Sequence, residues 1–521
     1  MPYVVTQSCC SDASCVYACP VNCIHPTPDE PDFLTAEMLY VDPQACVDCG
    51  ACATACPVDA ITSTKKLTAD QKPFIEINAD FYRQSRPRPT LAKPIPAPVV
   101  SPERGPLRVA IVGSGPSAMY AADELLTQRD VTVTVLDRLP VPYGLARHGV
   151  APDHTRTRQV SRLFDVISAQ PGFGSYLNVA VGDHISHADL LEHFHAVIYA
   201  VGASADRKLG IPGEGLPGSA SATEFVAWYN GHPDHARREF DLTHRRAVIV
   251  GNGNVALDVA RILTTDPELL AGTEVSPVAL AALRHSKVDE VVILGRRGPA
   301  ESAFTVPEFV GLLGADVDIV VEGEVPEPVS GMPQKVEQKL KLLRGLADRP
   351  SGARKRIVFR YLSSPTALVG TDRVSGVELV RNDLVTDADG TVRAVATAAT
   401  ETLDAGLVLA SVGYRGVALP GLPFDEKAAV IPNVDGRVPD APGTYVTGWI
   451  KRGPTGFIGT NKSCAQQTVQ QLVDDFNAGR LPEPARDAAD FDRLVTDRRP
   501  TAVRGGAAAR PWWKRRLLAR A

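Results

Sequence analysis

Past residue 56 the chain has almost no cysteine: nine of its ten lie between Cys9 and Cys56, and the rest of the 521 residues hold Cys464 alone. That distribution excludes a disulfide framework spread over the fold, and thiols crowded into one stretch of an intracellular protein more often hold metal or do redox work. No apolar run approaches the ~20 residues needed to span a bilayer. The start, MPYVVTQSCC, has neither the basic nor the apolar region of a secretory signal, which predicts a cytoplasmic protein. Excess charge is missing too. With 55 Lys and Arg against 60 Asp and Glu, the formal charge of -5 excludes wholesale binding of nucleic acid or anionic membrane. No nucleophilic triad, disulfide-reductase cysteine pair or internal repeat follows the cysteine-rich start, so the chemistry must come from cofactors. What remains is a soluble-type composition, 44% hydrophobic and 22% charged, long enough for roughly three domains.

The cysteines are ordered. In ACVDCGACATACPVDAI, residues 45–61, Cys46, Cys49, Cys52 and Cys56 precede Pro57 with the spacing that wraps three thiolates around one iron-sulfur cube and sends the fourth to a second cluster. The partner motif lies upstream in SCCSDASCVYACPVNCI, where Cys15, Cys19 and Pro20 repeat the ending and Cys9 or Cys10 supplies a further thiolate. CPVNCI and CPVDAI therefore read as halves of one pseudo-symmetric fold. The proline-dense stretch 83–106 that follows reads as a semi-rigid tether or as a strap along the next domain.

Two dinucleotide motifs come next. RVAIVGSGPSAMYAADELL predicts a buried strand, a tight turn of Gly113, Ser114, Gly115, Pro116, Ser117 and Ala118, and a helix whose N-terminus faces a pyrophosphate. The next strand ends at Asp137, placed to bond a ribose diol. The pattern recurs in AVIVGNGNVALDVARIL, with Gly251, Asn252, Gly253, Asn254, Val255 and Ala256 at the turn. Its following strand, EVVILGRRG, ends on Arg296 and Arg297 and has no acid there, which suits the 2′-phosphate of NADP rather than the bare diol of NAD. Cys464 reads as a buried packing residue.

The first 75 or so residues resemble the seven-iron bacterial ferredoxins, which pair a [4Fe-4S] with a [3Fe-4S] cluster. The resemblance implies Cys46, Cys49, Cys52 and Cys19 as ligands of the first cluster, and Cys15, Cys56 and one of Cys9 or Cys10 as ligands of the second, with Cys23 unligated. The interval before Cys15 is shorter than the family's, so a second [4Fe-4S] cluster stays open. Residues 107 to 475 resemble the NADPH-ferredoxin reductases of adrenodoxin-reductase type, through VPYGLARHGVAPDH, GEGLPGSASATEFVAWYNGHP, GRRGPAESAFTVPEF, ASVGYRG and GWIKRGPTGFIGTNK. With both halves in this order, the chain is similar to the mycobacterial ferredoxin-fused NADPH-ferredoxin reductases. That implies an α+β ferredoxin domain followed by an α/β flavoprotein with two Rossmann-like domains, for FAD and NADP.

By the same resemblance FAD would contact the turn 113–118, Asp137, Gly144, Leu145, Val179, Trp449, Gly456, Phe457 and Ile458. NADPH would lie over the turn 251–255, with Arg296, Arg297 and Glu308 around its adenosine and ribose end and Gly456 near the nicotinamide. Arg147 and His154 would line the flavin region, without an assigned acid or base role, and Gly311 stands where some relatives carry an acid. The implied domains are ferredoxin 1–82, linker 83–106, FAD 107–206 and 405–475, NADP 207–404, and an irregular extension 476–521 ending in a basic, tryptophan-bearing tail. GLVLASVGYRG is expected to be the strand that returns the chain to the FAD domain. The implied activity passes electrons from NADPH through FAD to the clusters or to ferredoxins, and on to acceptors such as a cytochrome P450. A glutamate synthase small subunit and a redox-sensing scaffold are the alternatives.

Overall fold

The computed structural model describes residues 2–83, 91–92, 96–349 and 352–506. Much of the proline-rich stretch and the basic tail, residues 507–521, lie outside them.

The N-terminal module is two similar halves. Short helices Ser14–Ala18 and Ala51–Ala55 each follow a left-handed residue, Ala13 at φ 62° and Gly50 at φ 77°, and each ends on a Cys-Pro step at Cys19 or Cys56. Strands Tyr3–Val5 and Ile61–Ser63 pair antiparallel, as do Ile24–His25 and Tyr40–Val41. Asn78, on the helix Pro73–Asp80, ties the two ribbons together. Its Oδ1 accepts from Val5 N and Val41 N at 3.1 and 2.9 Å, and its Nδ2 donates to Val5 O. A buried amide with this many partners fixes the halves in one register.

Two parallel sheets follow. In the first, strands run in the order Thr444–Val446, Ala196–Tyr199, Leu107–Val112, Val131–Asp137, Phe173–Leu177, with Val503–Gly506 antiparallel at the edge. In the second the order is Ser219–Ser221, Leu407–Ala410, Arg246–Val250, Glu290–Leu294, Arg356–Arg360, Asp318–Glu322, all parallel. The central strands are continuous apolar runs because helices cover both faces. An antiparallel sheet, Ser363–Val369, Gly376–Thr386 and Val392–Asp404, lies between two strands of the second sheet along the chain.

Two expectations change, and one open alternative is decided. Leu407–Ala410 pairs with Ala247–Val250 inside the second sheet, so it does not return the chain to the first. The crossing comes after it, where Tyr414–Arg415 pairs with Ala205–Asp206, and the first sheet resumes only at Thr444. The region after 476 is ordered through Gly506. Helix Ala488–Arg498 buries Phe491 and Val495, Asp492 accepts from the Tyr176 hydroxyl at 2.7 Å, and Val503–Gly506 closes the sheet edge. The end of the proline-rich stretch behaves as a strap. Asn477 bonds both Val99 O and Ser101 N at 2.8 Å, and Val100 is buried against the first domain.

One apolar core runs from the ferredoxin module into both reductase domains, joining Val5, Cys10, Cys15 and Ile61 to Val109, Ala118 and Tyr120 of the first and to Val306 and Val310 of the second. The module is packed onto the reductase as well as tethered to it. Among the described residues no helix is long and apolar enough to cross a membrane.

Candidate redox site

The first turn is shaped to receive a pyrophosphate. Gly113 sits at φ 101°, and a Cβ there would come within 3.0 Å of Ala200 O, so only glycine fits. A Cβ on Gly115 would meet nothing within 4 Å: the space above the N-terminus of helix Pro116–Leu126, which includes Ser117 and Ala118, is open. Asp137 clamps this turn, accepting from Ser114 N at 2.8 Å and Ser114 Oγ at 2.5 Å, while its other oxygen accepts from Leu139 N. Burial raises its carboxyl above the usual range against those hydrogen bonds. Val179 N donates to Asp137 O, and Gly144, opening the short helix that carries Leu145, packs against Gly115 Cα. After strand Thr444–Val446, Gly448 abuts Ser117 and leads into Trp449, whose ring lies 5.2 Å from Tyr414. These residues converge at the carboxyl ends of parallel strands, where this topology binds ligands, and the open, Cβ-free turn fits FAD.

The second turn repeats the design. A Cβ on Gly251, at φ 112°, would collide with Ser411 O, whereas one on Gly253 would meet open space. Asn254 exchanges hydrogen bonds with Thr305, and Asn252 Oδ1 accepts from Ala303 N. A cavity of about 500 Å³ joins Gly253, Asn254 and Val255 to Gly456 and Phe457 across the two domains. At the end of the next strand, the Arg296 and Arg297 carbonyls are pinned by Asn382 Nδ2 and Leu362 N. Their guanidinium groups have no protein acceptor among the described residues, which leaves them available to a phosphate. This turn fits NADP(H).

Glu308 is not with those arginines. Its carboxylate accepts from Gln7 Nε2 at 2.8 Å and lies 3.8 Å from His154 Nε2, and burial raises its pKa while His154 opposes the shift. His154 and Glu308 belong to a charge cluster built around Arg261, which sequence reading missed. Arg261 donates to Asp153 at 2.6 and 3.0 Å and to Asp258 at 2.8 Å, and lies 2.5 Å from His154 Nε2. His154, Asp258 and Glu308 are near enough together to hold a metal ion, but the guanidinium already supplies the positive charge there. Arg147 is separate: its Nε donates to Pro142 O, and its guanidinium lies over Tyr143.

The thiols sort into two groups. Cys15 feels Cys9 and then Cys56 most strongly among the cysteines, whereas Cys52 feels Cys46, Cys19 and Cys49. Burial pushes Cys9 and Cys52 up to about 11 and raises Cys56 as well, so as free thiols they stay protonated, and a bound cation is what would hold them as thiolates. Backbone N–H groups already point at sulfur, Cys23 N to Cys19 Sγ at 3.3 Å and Ala60 N to Cys56 Sγ at 3.2 Å. This donor set fits two iron-sulfur clusters. Cys49 is exposed; Cys10 and Cys15 are buried. Cys464 accepts from Gly448 N at 3.3 Å as a packing residue.

The two halves meet at the loop that leads into helix Thr460–Asn477. Gly459 N donates to Cys10 O at 2.7 Å, and Ile458 packs into the shared core.

Comparison with known proteins agrees with this geometry. Residues 39–62 match the 4Fe-4S binding domain, and 107–285 match the pyridine nucleotide-disulphide oxidoreductase family. A probable ferredoxin/ferredoxin–NADP reductase of Mycobacterium tuberculosis is 54% identical over 524 residues, covering 96% of this chain and 89% of the relative. The corresponding protein of Mycobacterium leprae is 53% identical, covering 96% and 91%. The structure of M. tuberculosis FprA in complex with NADPH is similar at a TM-score of 0.72 and 46% identity, covering 77% of this chain and 92% of that one. With relatives matching both halves in order, the chain belongs to the ferredoxin/ferredoxin–NADP reductase family.

Proposed function

We propose that this protein is an NADPH-dependent ferredoxin reductase whose first acceptor is its own ferredoxin module. When bound, FAD takes two electrons as a hydride and releases them singly, and an iron-sulfur cluster carries one at a time. The turn at Gly113–Ala118 with Asp137 and Trp449 holds FAD. The turn at Gly251–Val255 holds NADPH, with Arg296 and Arg297 on the 2′-phosphate. No residue needs to act as acid or base, because hydride delivery depends on alignment; the cleft between Gly253 and Gly456 supplies it.

The observation that carries the reading is the 2.7 Å hydrogen bond from Gly459 N to Cys10 O, which joins the loop at the flavin end of the cleft to the peptide of the first thiolate pair. Among the cysteines Cys15 feels Cys9 most strongly, while Cys10 feels Cys9 and Cys56 and also acts on Tyr120 of the reductase. We therefore assign Cys9, Cys15 and Cys56 to the inner cluster, a three-thiolate set suited to [3Fe-4S], and Cys19, Cys46, Cys49 and Cys52 to an outer [4Fe-4S] cluster. Exposed Cys49 marks the outer cluster as the exit toward separate ferredoxins or a cytosolic acceptor such as a cytochrome P450. Cys46→Ser tests the order. NADPH-driven reduction of ferricyanide should persist while cytochrome c reduction is lost; retention of both would show that electrons leave the flavin directly.

A further inference from the structure

Four residues of the ferredoxin module, Leu34, Thr35, Ala36 and Glu37, line the same cavity as Gly253, Asn254 and Val255 of the second turn and Gly456 and Phe457 of the flavin loop. Leu34 is 60% exposed there, an apolar side chain kept in the open beside a cleft. The loop is anchored at Glu37, whose side chain is only 12% exposed. Glu37 Oε2 accepts from Val306 N at 2.7 Å, the first residue of helix Val306–Leu313, and Oε1 lies 3.2 Å from the buried ammonium of Lys339. A carboxylate is favoured at a helix N-terminus by the unpaired N–H groups and the helix dipole. The helix's own N-cap, Thr305, makes no side-chain cap and is instead bonded to Asn254 of the dinucleotide turn. The module thus grips the element that positions that turn.

A second grip lies further along the same helix. Gly311 has no side chain, and the space its Cβ would take is filled by the amide of Gln7, which donates to Glu308 on the preceding turn. The module fits this helix by shape as well as by charge.

We propose that residues 34–37 form the outer wall of the NADP(H) site, so that the ferredoxin module takes part in dinucleotide binding as well as receiving electrons. The inference rests on NADP(H) lying over Gly251–Val255. Linkage makes the coupling reciprocal: whatever the docked module adds to NADP+ affinity, NADP+ adds to docking.

The test is equilibrium binding of NADP+ to the oxidised full-length protein, with cofactor content confirmed by visible absorbance. Glu37→Ala removes the anchor and leaves Lys339 buried without its carboxylate, and should weaken NADP+ by about tenfold or more. Thr35→Trp, at an exposed position on the cavity wall, should narrow the cleft and weaken NADP+ without disturbing the fold; it decides alone if Glu37→Ala does not fold. Binding within about twofold of the parent for both variants, with Arg297→Ala still weakening NADP+, would overturn the wall while leaving the site in place. If Arg297→Ala also binds as the parent does, the dinucleotide lies elsewhere and the inference falls with the reading beneath it.

Discussion

Replacing Gly459 by alanine isolates the junction between flavin loop and cluster. The backbone at Gly459 is ordinary right-handed helix, φ -74° and ψ -25°, so alanine adds no conformational strain. The added methyl would come within 3.0 Å of Asp12 N, Asp12 Cα and Ser11 C, all backbone atoms that no side-chain rotation can move aside. The contact must open, with the loss of a hydrogen bond worth about 0.5–1.5 kcal/mol net and overpacking worth about 1–3 kcal/mol. Together these shift docked against undocked module by about 1.5–4.5 kcal/mol, roughly 10- to 2000-fold. Because the chain keeps the module nearby, it stays at high effective concentration and some transfer survives. Stopped-flow absorbance with NADPH should show the flavin bleaching at the parental rate, while freeze-quench EPR should show cluster reduction slowed by tenfold or more. Equal rates of cluster reduction in parent and variant would refute the argument that this contact is the transfer junction.

Arg297→Ala should raise the NADPH dissociation constant about 10- to 100-fold and leave NADH within about twofold, because the guanidinium has no protein acceptor among the described residues to lose; equal losses would show that it does not read the 2′-phosphate. Burial, aided by His232 and Arg147, pushes the His148 imidazole down to about 3, and neither ring nitrogen has a hydrogen-bond partner among the described residues. An unfolded histidine takes up its proton near pH 6.5. The folded state therefore loses stability as pH falls from 6.5 toward 3, by about 1.4 kcal/mol per unit from this residue. His148→Phe should flatten that slope in urea melts at pH 5 and 7, and an unchanged slope would mean His148 is not the source.

What could be read from the sequence was local. The Cys-Pro endings and both glycine turns declare themselves because each cofactor needs several residues at fixed short spacing, and strand, turn and helix follow one another along the chain. Leu407–Ala410 could not be assigned to a sheet from its own residues, since an apolar tetrapeptide serves either parallel sheet and only its pairing with Ala247–Val250 decides. The edge strand Val503–Gly506 carries two glycines and no apolar alternation, so nothing in it announced a strand. Arg261 stands in the quoted second motif, but its partner Asp153 lies 108 positions earlier and on the other domain. Gly311 and Gly459 are likewise visible as residues, yet their lack of a side chain acquires meaning only against Gln7 and Asp12, which lie several hundred positions earlier and are brought against them by the fold.

The central claim is that NADPH reduces the clusters of its own chain, inner cluster first. An anaerobic NADPH titration of iron-reconstituted protein, followed by visible absorbance and EPR together at several protein concentrations, tests it most directly. The account predicts flavin bleaching followed by loss of the oxidised [3Fe-4S] signal, at a rate independent of protein concentration. Flavin bleaching with the cluster signals unchanged, or cluster reduction whose rate rises with protein concentration, would contradict it.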